Sequence, residues 1–191
     1  MRETVRILYV HGYLGSGNGN SSKLIKSEFV NRGISVALDA PQFPVTKPKD
    51  MKECLRVLIE GSNYDYVVAS SLGAFYVMQI PDVKKILVNI ALPDNLRQLK
   101  TVDPDNNPEL TRAFLSFLEG EKEKFFSEVY SDGFKRETFI IYGTRDKIAP
   151  NEAFFKPYYN AENMIAHLDM DHKLDIIGAR KVVEIINDGG I

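Results

Sequence analysis

Residues Val67 to Phe75 read VVASSLGAF, a run of apolar β-formers that passes through two serines straight into a helix-forming stretch. A buried strand that turns into a helix with a serine at the junction makes a nucleophile elbow, whose sharp, strained backbone holds the hydroxyl clear of the sheet. The turn needs small residues two positions before and after the serine, where strand and helix backbones nearly touch. Ala69 and Gly73 meet that need around Ser71, although the full pattern has glycine at the first place and Ala69 departs from it by one methyl. Ser70 is the poorer candidate, because its second neighbour on the helix side is Leu72. Serine is also a common helix N-cap, so the chemistry has to be argued from the rest of the chain.

Outward from this stretch, apolar runs alternate with helical patterns along all 191 residues. Strands are expected at Arg6 to Val10, Ile34 to Leu38, Tyr66 to Ser70, Lys85 to Ile90, Thr138 to Tyr142 and Asn163 to Leu168. Helices are expected at Asn20 to Arg32, Ser71 to Gln79 and Asp175 to Asn187. A further helix carries Met51, Cys54, Leu55, Leu58 and Ile59 at i, i+3, i+4, i+7 and i+8, one buried stripe that makes Cys54 core filler. Asp50 and Glu53 fit a capping box at its start, and Gly61 ends it. The alternation predicts a three-layer α/β/α sandwich around a mostly parallel sheet of about six strands, in one domain spanning residues 1–191. Between Pro93 and Phe134 the rhythm lapses into a loop with Pro104 and Pro108, then two aromatic-rich helical patches, Glu109 to Leu118 and Glu121 to Tyr130. This is expected to be a helical, lid-like insertion over the sheet, with Phe114, Phe117, Phe125, Phe126 and Tyr130 used for packing.

A serine nucleophile needs a base, and the base needs an orienting acid. Asp146 lies in GTRD (Gly143 to Asp146), just beyond the fifth strand, and His172 follows the last strand shortly before the C-terminal helix. The order Ser71, Asp146, His172 suits strands whose ends project toward one point. Asp169, Asp171 and Asp175 are nearer to His172 in sequence, but they share its loop or the next helix. His167, inside an apolar strand, is expected to be a packed core histidine. A tetrahedral oxyanion needs two preorganised donors, expected to be the backbone N–H groups of Leu72 and of Tyr13. Tyr13 follows His11 and Gly12 in the loop after the first strand, where His11 orders the loop and is not the base.

These stretches resemble the α/β-hydrolases, and more narrowly the short bacterial esterase-like proteins of the YqiA-like group. The resemblance is carried by YVHGYLGS (Tyr9 to Ser16), DAPQFP (Asp39 to Pro44), ASSLGAF (Ala69 to Phe75), YGTRD (Tyr142 to Asp146) and MDH (Met170 to His172). It implies a compact α/β-hydrolase fold whose sheet begins at the third strand of the full-length version, and an esterase-like activity on poorly defined substrates. That group usually has glycine before the histidine, where this chain has Asp171. Glycine takes positive φ freely and aspartate less so, which puts the conformation of that loop in question.

Composition narrows the partners. A formal net charge of -2 offers no broad basic field for a phosphate backbone, so nucleic acid is not expected as a partner, while the Ser71, Asp146 and His172 constellation leads to the expectation of a small acyl substrate. Arg2, Glu3 and Arg6 interrupt what would be an apolar signal core, and no run approaches a membrane span, so a cytoplasmic location without membrane association is expected. One cysteine cannot make an internal disulfide or a Cys-rich metal site, and nothing in the pattern calls for a cofactor or a metal. The glycines of residues 12–19 suggest dinucleotide binding, but Gly-x-Gly-x-x-Gly from Gly15 would need glycine at Asn20, and from Gly17 at Ser22. A P-loop fails for want of Gly-Lys before Ser or Thr. A non-catalytic binding protein on the same fold is the remaining rival.

Overall fold

The computed structural model describes residues 4–128, 138–158 and 164–188. Six parallel strands, β1 (Val5–Val10), β2 (Val36–Asp39), β3 (Tyr66–Ser70), β4 (Lys85–Val88), β5 (Thr138–Gly143) and β6 (Met164–Leu168), form one sheet in the order β2-β1-β3-β4-β5-β6. Parallel neighbours require crossovers, which α1 (Asn20–Asn31), α2 (Pro48–Glu60), α3 (Leu72–Val77), α4 (Pro93–Val102), α5 (Arg112–Glu128) and α6 (Glu152–Phe155) supply, and α7 (Ile176–Asn187) follows the last strand.

The period-two pleat divides the core in two. Ile7 and Tyr9 of β1 point to the face covered by Ile25 and Phe29 of α1 and by Val182, Val183 and Ile186 of α7. Leu8 and Val10 point to the other face, under Met51 and Leu55 of α2, Leu72 and Phe75 of α3, and Phe114, Leu118 and Phe125 of α5. Full burial of such a side chain is worth about 1.5–3 kcal/mol, which is why the central strands are apolar on both faces. From β1 the chain steps first to β2 and then back to β3 on the opposite side. The two loops that leave β1 and β3 therefore diverge to opposite faces, and a crevice opens between them.

Several local expectations are corrected. Pro48 takes the first turn of α2, Lys47 is the N-cap without a side-chain cap bond, and the Asp50–Glu53 box does not form, because Glu53 pairs with Arg56. The buried stripe narrows to Met51 and Leu55, with Leu58 and Ile59 half-buried and Cys54 exposed on its flank. Pro93 opens α4, a helix where a loop was expected. The two patches merge into the single helix α5, which runs through Gly120; Tyr130 lies outside the described residues. Phe114 and Phe125 are buried, and Phe117 and Phe126 pack against the core. His167 is exposed and bonds Glu152 Oε1 at 2.8 Å, since β6 is the sheet's edge strand and an apolar sequence there does not ensure burial. Among the described residues no helix is long and apolar enough to cross a membrane.

Exposure of Cys54 is open to direct test. A maleimide should label the native protein without denaturant, and Cys54→Ser should change stability by less than about 0.5 kcal/mol. Labelling only after unfolding would contradict the placement of this helix face.

Candidate active site

Ser71 sits between β3 and α3 with φ 54° and ψ −125°, a conformation that L-residues hold only under constraint. The constraint is visible. Its N–H donates to Val88 O at 2.9 Å, and its carbonyl accepts from Ala91 N at 3.2 Å and Phe75 N at 3.3 Å. Gly12 packs on it so closely that a Cβ there would lie 2.6 Å from Ser71 Cβ. Gly73 is required by a neighbour other than the expected one. A Cβ on Gly73 would lie 2.4 Å from His11 O and 2.7 Å from Val10 O, so α3 presses on the end of β1. Ala69 is fully buried between β1 and β4, paired with Val10 and Leu87, and its methyl is accommodated. Ser70 is occupied, with its Oγ 2.9 Å from Tyr9 Oη.

The structure brings the three sequence-chosen side chains together. Ser71 Oγ lies 2.9 Å from His172 Nε2, and His172 Nδ1 lies 2.8 Å from Asp146 Oδ2. The carboxylate can only accept, so Nδ1 carries the proton and Nε2 is left to accept from the serine hydroxyl. Asp146 Oδ1 accepts from the N–H groups of Ile148 at 2.8 Å and Ala149 at 3.0 Å. Burial pushes the Asp146 carboxyl up, but the bond to His172 and the two backbone donors outweigh it and hold the group below the usual carboxylate range. Asp171 takes no positive φ, so the histidine loop makes no conformational demand for glycine there. Its carboxylate faces Arg145 at 3.8 Å, and Asp175 caps α7 by accepting from Ile177 N and Gly178 N.

The first loop is locked by His11. Its Nδ1 donates to Gly12 O at 2.9 Å and its Nε2 accepts from Phe43 N at 2.9 Å; burial holds the ring below the ordinary histidine pKa, against the Gly12 contact. Tyr13 donates its hydroxyl to Glu109 Oε2 at 2.9 Å, and burial together with Glu109 pushes its pKa up to about 12. Among the described residues no acceptor engages the backbone N–H of Tyr13 or of Leu72, the latter being the first residue of α3 and lacking an intrahelical partner. A hollow of about 490 Å³ opens beside His172, rimmed by Arg145, Lys147, Ile148, Asp171 and Lys173. Another, of about 400 Å³, lies among Leu55, Ile59, Tyr76, Ile80 and Phe125 and touches none of the three chosen side chains. No three His, Cys, Asp or Glu side chains gather as metal ligands among the described residues.

The model of the "Uncharacterised protein family (UPF0227)" matches residues 6–187. The chain belongs to that family. No curated protein matches it. Solved structures share its fold over nearly its whole length. A metagenomic α/β-hydrolase from lagoon sediments of Mar Chica, Morocco, is 17% identical, with a TM-score of 0.67 and coverage of 98% of this chain and 90% of that one. Mouse α/β-hydrolase domain-containing protein 10 is 14% identical at a TM-score of 0.65, covering 97% and 89%. The monoacylglycerol lipase of Paleococcus ferrophilus is 16% identical at 0.63, covering 97% and 96%. This member of UPF0227 therefore has the α/β-hydrolase fold.

Three asparagines at the site went unread in the sequence. Buried Asn95 of α4 accepts from Leu92 N at 2.8 Å and donates to Ile148 O at 3.0 Å, while Asn151 donates to Ile90 O at 2.8 Å and to Asn95 Oδ1 at 2.7 Å. They tie the expected insertion to the loop that carries Asp146. Asn89, fully buried at the end of β4, bonds both the histidine loop and Gly143. The one available signal was an asparagine closing an apolar strand, in LVNI (Leu87 to Ile90).

The Asp146 carboxylate has a consequence for stability. A carboxyl held below its unfolded value, near pKa 3.9, stabilises the fold fully above that pH and loses the contribution as pH falls through its lower folded value. In urea unfolding, the stability gap between wild type and Asp146→Asn should therefore shrink as pH falls from about 5 toward 2. A gap independent of pH would contradict the ionised, hydrogen-bonded Asp146.

Proposed function

We propose that this protein is a serine hydrolase that cleaves a small acyl ester or thioester through an acyl-enzyme on Ser71. The observation that carries the proposal is the unbroken relay from Ser71 Oγ to His172 Nε2 at 2.9 Å and from His172 Nδ1 to Asp146 Oδ2 at 2.8 Å. As Oγ attacks the acyl carbon, its proton passes to Nε2, and the carbonyl oxygen takes up negative charge. The free N–H groups of Tyr13 and Leu72 stabilise that charge. Collapse of the tetrahedral species expels the alkoxide or thiolate, which leaves with the proton held by His172. A water then attacks the acyl carbon and gives a proton to Nε2, and collapse of the second tetrahedral species breaks the Oγ–acyl bond, releases the carboxylic acid and returns the proton from Nε2 to Ser71 Oγ. Asp146 keeps the imidazole in the productive tautomer and stabilises the imidazolium.

Short acyl chains are the preferred substrates on this reading, because the apolar hollow among Leu55, Ile59, Tyr76, Ile80 and Phe125 does not reach Ser71. Helix α4 and the loop that joins it to α5 cover one edge of the site as a lid-like insertion, through the Asn95–Ile148 and Tyr13–Glu109 bonds.

Ser71→Ala should abolish hydrolysis of p-nitrophenyl acetate, and His172→Ala should nearly do so, since the relay acts as a unit. Asp146→Asn should lower turnover by about 10²-fold to 10⁴-fold. A folded Ser71→Ala protein with wild-type turnover would overturn the proposal.

A further inference from the structure

We infer that Asn89 is a positioning residue for the Ser71–His172–Asp146 relay, an inference that rests on the hydrolytic reading above. Asn89 reaches neither the serine hydroxyl nor the imidazole. Its amide instead joins the two loops that carry the acid and the base. Nδ2 donates one hydrogen to Asp171 O at 3.0 Å and the other to His172 O at 2.9 Å, while Oδ1 accepts from Gly143 N at 2.7 Å. The orientation of the amide follows from chemistry: a backbone N–H can only donate and a carbonyl can only accept, so oxygen must face Gly143 and nitrogen the two carbonyls. Every side-chain bond of Asn89 is thus spent on a loop that presents a relay member.

Gly143 opens the turn that leads to Asp146, and the two loops touch directly there. A Cβ on Gly143 would lie 2.5 Å from Met170 O and 2.7 Å from Asp171 O. Asn89 therefore sets the seam across which Nδ1 meets Oδ2. Its backbone neighbours hold the remaining member, since Val88 O accepts from Ser71 N and Ala91 N donates to Ser71 O. Residues 88–91 register all three side chains while contributing no atom to the proton path. Asn89 does this at φ 47°, a left-handed conformation that asparagine tolerates better than most residues, and with its side chain wholly buried. Loss of the amide would leave the Asp171 and His172 carbonyls and the Gly143 N–H without the one group that joins them, so the two loops would lose the contact that sets their register.

Two variants separate positioning from mere folding. Asn89→Gly keeps the backbone conformation at no steric cost and deletes the amide. Asn89→Asp keeps the shape and the acceptor for Gly143 but sets a carboxylate oxygen against two carbonyls. In variants shown to unfold cooperatively, kcat for p-nitrophenyl acetate should fall about 10-fold to 100-fold with KM within about twofold, as expected for a misplaced catalytic group. The ¹⁵N shifts of the His172 ring, which report its bond to Asp146, should move in both variants. Unchanged ring shifts in either folded variant would overturn the inference whatever the turnover, and so would wild-type kcat. If wild type itself failed to hydrolyse any ester while the ring shifts moved with Asn89, the hydrolytic reading would fall and the clamp between the two loops would stand.

Discussion

The arrangement depends on one strained residue. Ser71 occupies a backbone conformation that costs on the order of 1–3 kcal/mol, and the surrounding structure holds it there from three sides. Val88 at the end of β4 grips its N–H and Ala91 just beyond the strand its carbonyl, Gly12 lies against its side chain, and Gly73 lets α3 settle onto the carbonyls at the end of β1. Relaxing the turn would break these hydrogen bonds and separate a helix from a strand, losses that act together against the strain. The place of the turn follows from topology. At the switch between β1 and β3 the following helices leave to opposite faces, so the loops there are free to face a ligand.

Electrostatics then follows from burial. The Asp146 side chain is only 2% exposed and His172 only 14%, so neither can rely on water to stabilise a charge. Asp146 is ionised because three donors converge on it, and that fixed charge orients the imidazole. His11, which is more deeply buried than His172, contrasts with it. Its ring is spent on Gly12 O and Phe43 N, with no carboxylate partner among the described residues, and serves as a structural pin.

Much of this was legible in the sequence because it is local. VVASSLGAF specifies strand, turn and helix within nine residues, and GTRD and MDH each follow a strand whose apolar run is unmistakable. What was misread depends on neighbours distant in the chain. The exposure of Cys54 is decided by where the core-facing centre of α2 falls, and that of His167 by β6 being the last strand. The helix opened by Pro93 shows few apolar residues and is organised by Asn95, whose partners Ile148 and Asn151 lie more than fifty residues away. Asn89 escaped notice for the same reason: nothing beside it in sequence shows that two loops some fifty and eighty residues on will close over it.

The central claim is that Ser71 is chemically activated, and covalent labelling tests it most directly. A fluorophosphonate reacts only with a serine whose hydroxyl is deprotonated by a positioned base. The account predicts one adduct by intact mass, mapped to the peptide containing Ser71, and none in His172→Ala over the same time. A wild-type protein that stays unlabelled, or one labelled at another serine, would contradict it.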